Sequence, residues 1–242
     1  MKAAVITFPG SNCDDDNVHA LARTGFEVDR LWHRDTPGLG SYALIVLPGG
    51  FSFGDTLRCG AIAALSPIVG AVKEYAAAGG LVAGICNGFQ ILCETGLLPG
   101  ALARNESLNF VCQDVHLKVE SAGSPWTRGI ASGTVLTIPI AHGEGRYVVD
   151  EATHEKMARG GQILFTYCDA RGAASPGSNP NGSMWNVAGV CNETGNVFGM
   201  MPHPERATDL RSRDGAKLWR AALEAARAHK GPLTGPEKDG IR

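Results

Sequence analysis

Leu81-Val82-Ala83-Gly84-Ile85-Cys86-Asn87-Gly88-Phe89-Gln90 is the stretch from which the fold can be read. Leu81–Ile85 is an unbroken apolar run of strand length, and Asn87–Thr95 carries helical spacing closed by Gly96. Cys86 therefore stands at a sharp strand-to-helix turn, with glycines two residues before and two after it. This is the nucleophile-elbow pattern with cysteine in place of serine. The turn lifts the side chain above the sheet, and the flanking glycines leave room for neighbouring backbone. The helix that follows presents its N-terminus to the thiol and favours the thiolate form. The Asn87 N–H can donate to an oxyanion. Two glycines flanking any of the seven cysteines arise by composition with a probability of about 0.12. A buried, inert cysteine beside a tight turn is the alternative.

Outward from the elbow, strand and helix alternate through the first half. Ala3–Phe8 is a short apolar strand, Asp14–Arg23 a helix with acids in its first turn, closed by Gly25. Phe26–Trp32 alternates as a strand, and Ala43–Leu47 is a fully apolar one. Leu57–Ala78 is helix-rich, with Pro67 expected to break or kink it and Gly79-Gly80 to stop it. Such alternation predicts a parallel sheet with helices on both faces and ligands at the carboxyl ends of the strands. The second half reads mostly as strands: 109–121, 134–141, 146–149, 162–168 and 186–191, the last forming a hairpin across Asn192–Gly195 with 196–200. Helices are expected at 151–158 and 216–229. The expected fold is α/β, doubly wound and mostly parallel, with extra antiparallel strands in the second half. One domain over residues 1–229 and a loose tail over 230–242 are expected.

Composition narrows the function classes. The 242 residues are 44% hydrophobic, which permits a large core and excludes a disordered chain. A net charge of −2 without a basic run argues against nucleic acid. No stretch reaches membrane-spanning length, and the opening run is cut by Pro9-Gly10 too early for a signal peptide. Seven cysteines without a repeating spacing point to a reducing compartment, the cytoplasm, rather than to a disulfide framework.

Two further segments carry chemistry. Pro202-His203-Pro204-Glu205-Arg206 has prolines that hold the chain extended, so His203 and Glu205, two apart, are expected to point to one side. The carboxylate would orient an imidazole acting as base for the thiol, with 196–200 delivering the pair to the elbow's edge of the sheet. A surface His-Glu pair is the alternative; a metal site has no third and fourth ligand at suitable spacing. Pro48-Gly49-Gly50-Phe51 lacks the Gly-Lys-Ser/Thr ending of a phosphate loop. It reads either as a backbone loop supplying a second oxyanion N–H or as a tight connecting turn.

In this order and spacing, Pro48-Gly49-Gly50, Gly84-Ile85-Cys86-Asn87-Gly88-Phe89-Gln90 and His203-Pro204-Glu205 resemble the class I (triad-type) glutamine amidotransferases. Further segments are similar to the glutaminase subunits of phosphoribosylformylglycinamidine synthase within that class. They are Phe8–Asp14, Gly50–Asp55, Ala141–Arg146, Asn179–Ser183 and Gly199–Arg206. With no further domain, the chain resembles the separate-subunit form. The resemblance implies Cys86, His203 and Glu205 as catalytic residues, Gly50, Phe51 and Asn87 as oxyanion donors, and Gly49, Gln90 and His142 at the glutamine site. His142 could equally be a structural loop residue. The resemblance also implies ammonia transfer to a synthetase subunit that uses ATP and Mg2+, a small accessory subunit, and no cofactor or metal on this chain. Rival readings are an amidotransferase for another acceptor, a cysteine hydrolase with a related elbow, and a binding module with a dead site.

Overall fold

The computed structural model describes residues 1–209 and 212–228. The chain begins with β1 (Lys2–Thr7), α1 (Asp14–Thr24), β2 (Glu27–Trp32), β3 (Leu44–Leu47), α2 (Pro67–Ala77), β4 (Leu81–Ile85) and α3 (Asn87–Glu94). It continues with β5 (Ala101–Ala103), β6 (Val111–Val119), β7 (Val135–His142), β8 (Arg146–Val148), α4 (Glu151–Arg159) and β9 (Ile163–Cys168). The last elements are β10 (Val187–Cys191), β11 (Val197–Met200) and α5 (Asp214–Ala228). Nine strands form one sheet in the order β2-β1-β3-β4-β11-β10-β9-β6-β7. The ladders from β2 to β11 are parallel, and those from β11 to β7 are antiparallel. β5 and β8 form a separate two-stranded sheet.

The burial pattern explains the division. β3 and β4 are buried at every position, as strands covered on both faces must be, and their sequences are correspondingly apolar throughout. β7 alternates half-buried and buried residues along its length, the signature of a strand packed on one side. α1 packs on β1 and β2 and against α5, while α3 packs on β3, β4 and β11. No helix among the described residues is long and apolar enough to cross a membrane.

Two expectations need correction. Pro67 does not interrupt a helix; it occupies the first turn of α2, and residues 57–62 are bends and turns. A proline there loses no intrahelical bond, because that N–H has no partner in any helix. β5 was not expected, because three residues with no period cannot be told from a loop by pattern alone. The expected tail at 230–242 lies outside the described residues.

Candidate active site

Cys86 follows the last residue of β4 at φ 51 and ψ −105, in the left-handed half of the map. Such a conformation is costly for a residue with a Cβ and persists only where its surroundings over-determine it. They do so here on three sides. The Cys86 N–H donates to Met200 O of β11 at 2.8 Å, and the Cys86 carbonyl receives Gln90 N at 3.1 Å. A Cβ on Gly88 would lie 2.0 Å from Leu47 O in β3, and one on Gly84 would lie 2.6 Å from Gly88 O. The flanking glycines thus let α3 sit directly on the ends of β3 and β4.

His203 reaches the elbow by the strand next door. β11 pairs with β4 in register Met200↔Ile85, so the chain leaving β11 emerges beside Cys86. The His203 N–H then donates to Pro139 O of β7 at 2.8 Å. His203 and Glu205 are 1% and 4% exposed, with Nδ1 2.7 Å from Oε1. They do not meet by the expected extended alternation. His203 is at φ −104 and ψ 85, and Pro204 opens a 3-10 turn over Pro204–Arg206 that folds Glu205 back onto the imidazole. Proline's pre-set φ suits the first position of such a turn. Burial lowers the His203 pKa, but the Glu205 carboxylate, Cys86 and Cys13 outweigh it, so the imidazolium is held well above its usual range.

The glycine loop lies between these groups. A Cβ on Gly49 would be 2.9 Å from His203 Cε1, 3.0 Å from Cys13 Sγ and 3.4 Å from Cys86 Cβ. Only a residue without a side chain leaves this space open. Gly49 O accepts from Cys13 N at 3.2 Å, so the planar peptide aims the Gly50 N–H away from the 9–13 loop. The Phe51 N–H is different: it donates to Gly10 O at 2.9 Å. Phe51 is therefore not free to donate to an oxyanion in this arrangement. Two candidate donors remain, the amides of Gly50 and Asn87, the latter at the first position of α3, where no intrahelical acceptor exists.

The other residues expected at the glutamine site are tied into the protein. Gln90 is 5% exposed; its Nε2 donates to Glu144 O at 2.6 Å and its Oε1 accepts from Asn87 Nδ2 at 2.8 Å. It links α3 to the 142–146 loop. His142 is 3% exposed, with Nδ1 3.0 Å from Asn105 Oδ1 and Nε2 3.4 Å from Asn181 Nδ2. A Cβ on Gly145 would strike its ring at 2.3 Å. Both side chains thus shape the loop from within, and neither offers a free polar end to a ligand.

A family model for the CobB/CobQ-like glutamine amidotransferase domain matches residues 1–223. The chain belongs to this family. The amidotransferase is 52% identical over 235 residues to phosphoribosylformylglycinamidine synthase subunit PurQ of Thermosynechococcus vestitus, covering 93% of this chain and 97% of that one. It is 53% identical over 227 residues to the subunit of the same name from Moorella thermoacetica, covering 93% and 96%. Among solved structures it superposes on a chain of PurLQS from Thermotoga maritima with a TM-score of 0.82 at 44% identity, covering 92% and 97%.

The sequence reading of this amidotransferase missed Cys13. It lies just before α1, far in sequence from the other site residues, yet 2% exposed and in contact with the site. Arg206 Nη2 donates to its Sγ at 3.2 Å while Arg206 Nε donates to Asp16 at 2.9 Å. Only the joining of the 9–13 and 48–53 loops brings it there. A cavity of about 540 Å³ opens on the His203 and Arg206 side of the amidotransferase, lined also by Pro139, Ile140 and Ala141; Cys86 does not line it.

His142 yields a pH prediction. Burial first, and the charge of His203 second, push its pKa down from 6.5 to about 4. The folded state holds it neutral while the unfolded state protonates it. Stability is therefore fully present above pH 6.5 and falls as pH drops toward about 4. The expected loss at the lower end is on the order of 3 kcal/mol. His142→Asn should flatten this part of the profile even if it lowers stability at pH 7. Urea unfolding of both proteins at pH 7 and pH 5 checks it; equal slopes would remove His142 as the cause.

Proposed function

We propose that this chain hydrolyses the side-chain amide of glutamine through a Cys86 thioester. It hands the ammonia to a separate synthetase subunit that converts formylglycinamide ribonucleotide to its amidine in purine synthesis. The observation that carries the reading is the buried His203–Glu205 pair, 2.7 Å apart, just past the end of the strand adjoining a cysteine held at φ 51. Similarity to PurQ subunits over nearly the whole chain, and to a chain of PurLQS, supports the choice of acceptor and of partners.

In this mechanism the proton that leaves the Cys86 thiol resides on His203, and Glu205 holds the imidazolium through Nδ1. Sulfur attacks the amide carbon, and the oxygen gains charge beside the N–H groups of Gly50 and Asn87. His203 gives its proton to the departing nitrogen as the C–N bond breaks, releasing ammonia and leaving a γ-glutamyl thioester. Water, deprotonated by the now neutral His203, cleaves the thioester to glutamate and restores the thiol. Gln90 and His142 act by fixing the 142–146 loop, and Gly49 keeps space open beside the thiol. The chain itself needs no cofactor for these steps; ATP and Mg2+ serve the synthetase partner, a small accessory subunit completes the complex, and the reaction takes place in the cytoplasm.

Reconstitution tests the reading. With the synthetase and accessory subunits present, glutamine should support amidination only when this chain is added, whereas free ammonia should support it without the chain. A 6-diazo-5-oxo-norleucine label should map to Cys86. A label on another cysteine, or glutamine-dependent product without this chain, would overturn the assignment.

A further inference from the structure

Cys13 takes no part in the proposed hydrolysis, yet it stands in a group with the two residues that matter most to it. One donor atom each from Cys13, His203 and Glu205 lie within 4.8 Å of one another, and all three residues are buried. Glu205 Oε2 is buried without a hydrogen-bond partner, and the His203 ring meets Glu205 through Nδ1 and also interacts with the thiols of Cys13 and Cys86. We infer that Cys13, His203 and Glu205 form a binding site for a borderline-soft divalent cation, Zn2+ above all. We infer also that its occupancy reversibly shuts off glutamine hydrolysis. The second part rests on the catalytic roles proposed above.

Thiolate, imidazole and carboxylate together are a zinc donor set, whereas Mg2+ and Ca2+ demand six or more oxygens. Zinc bond lengths of about 2.0–2.3 Å put tetrahedral donors roughly 3.3–3.7 Å apart. A group already within 4.8 Å needs only small side-chain rotations to close on the ion. Three protein ligands leave a fourth position for water. Charge permits binding: the Glu205 carboxylate stands beside His203, and Arg206, which donates to Cys13 Sγ, has its own charge shared by Asp16 at 2.9 Å. The cavity lined by His203 and Arg206 borders the group. On binding, the Cys13 thiol proton and the proton between His203 and Glu205 pass to solvent. A metal on Nδ1 keeps His203 from forming the imidazolium that Glu205 holds, so it cannot take the Cys86 proton and pass it to departing ammonia, and turnover stops.

The test uses the full chain, stripped of metal and titrated with Zn2+ and, for its spectrum, Co2+. Wild type, Cys13→Ser, Cys13→Ala and Cys86→Ser are compared. Wild type and C86S should bind one equivalent of Zn2+ more than C13S does. In Co2+ form both should show a thiolate-to-cobalt charge-transfer band. C13S and C13A should lose that band and bind at least about 100-fold more weakly. In complex with the synthetase, Zn2+ should inhibit C13S about 100-fold less potently than wild type, each measured against its own metal-free rate. Unchanged affinity and band in both Cys13 variants would overturn the site. So would binding lost in C86S but kept in C13S, which would move the metal to the other thiol. If the metal-free wild-type complex fails to hydrolyse glutamine, the functional reading falls, while the cobalt spectra still decide the metal site.

Discussion

Cys86→Ala lowers glutamine hydrolysis by at least about 10⁴-fold while leaving the fold intact. The size follows from what the sulfur does. Without it there is no thioester, and water would have to attack a resonance-stabilised amide unaided. The remaining oxyanion donors and bound geometry cannot replace a covalent route. The fold tolerates the change because the strained backbone at φ 51 is held by hydrogen bonds of Cys86 N and O and not by its side chain. Glu205→Gln is the companion variant. The Glu205 side chain is fully buried, so its charge acts on His203 with little screening by water. Removing that charge drops the His203 pKa and lets the amide hold the wrong imidazole tautomer; a loss of about 10²–10⁴-fold is expected. Steady-state glutaminase assays of the assembled complex, with a pH profile for E205Q, check both. Retention of more than about 1% activity in C86A would contradict the nucleophile assignment.

Gly88→Ala should destabilise the protein by about 3 kcal/mol or more, lowering Tm by roughly 6–12 °C. The new Cβ would stand 2.0 Å from Leu47 O and 2.6 Å from Leu47 C. Both are backbone atoms of β3, which is hydrogen-bonded on each side by β1 and β4 and cannot retreat. Either α3 lifts off the sheet, carrying the elbow with it, or β3 shifts within the sheet. Gly70→Ala provides the opposite sign. Gly70 sits inside α2, where an added Cβ meets nothing within 4 Å. There alanine should stabilise by about 0.5–1 kcal/mol through helix propensity and reduced unfolded-state entropy. Thermal unfolding of the two variants beside wild type reads both signs; a G88A protein as stable as wild type would mean that α3 does not depend on this close approach.

Gly88 also shows how far local sequence reaches. Its place in a Gly-x-Cys-x-Gly elbow was evident because strand, turn and helix each have a pattern of short range. The same holds for Gly25 closing α1 at φ 111 and for the Asn192–Gly195 hairpin. Pro67 and Pro204 were harder. A proline's fixed φ suits both a break and a helix's first turn, and only the atoms around it decide which one occurs. Phe51 was expected as an oxyanion donor from the family resemblance. Its N–H instead turns to Gly10 O, a partner some forty residues away that no local pattern can name.

By itself the sequence determined the α/β class, the apolar β3 and β4 and the strand-to-helix elbow at Cys86, while His203 and Glu205 were expected as its companions through the family resemblance. The class, the strands and the elbow follow from periodicity, turn chemistry and residue type, which act over a few positions. Only the tertiary structure decided where Cys13, Gln90 and His142 stand. Their surroundings come from loops 9–13, 48–53 and 142–146 meeting across strand ends, so each environment is built from distant segments. That is why a histidine expected either at the glutamine site or in a structural loop role lies buried between Asn105 and Asn181, its pKa pushed down to about 4. It is also why a cysteine given no role in the sequence reading ends beside His203. Charge, burial and ligand geometry depend on what surrounds a side chain from every direction, and the linear order of residues specifies that only through the fold.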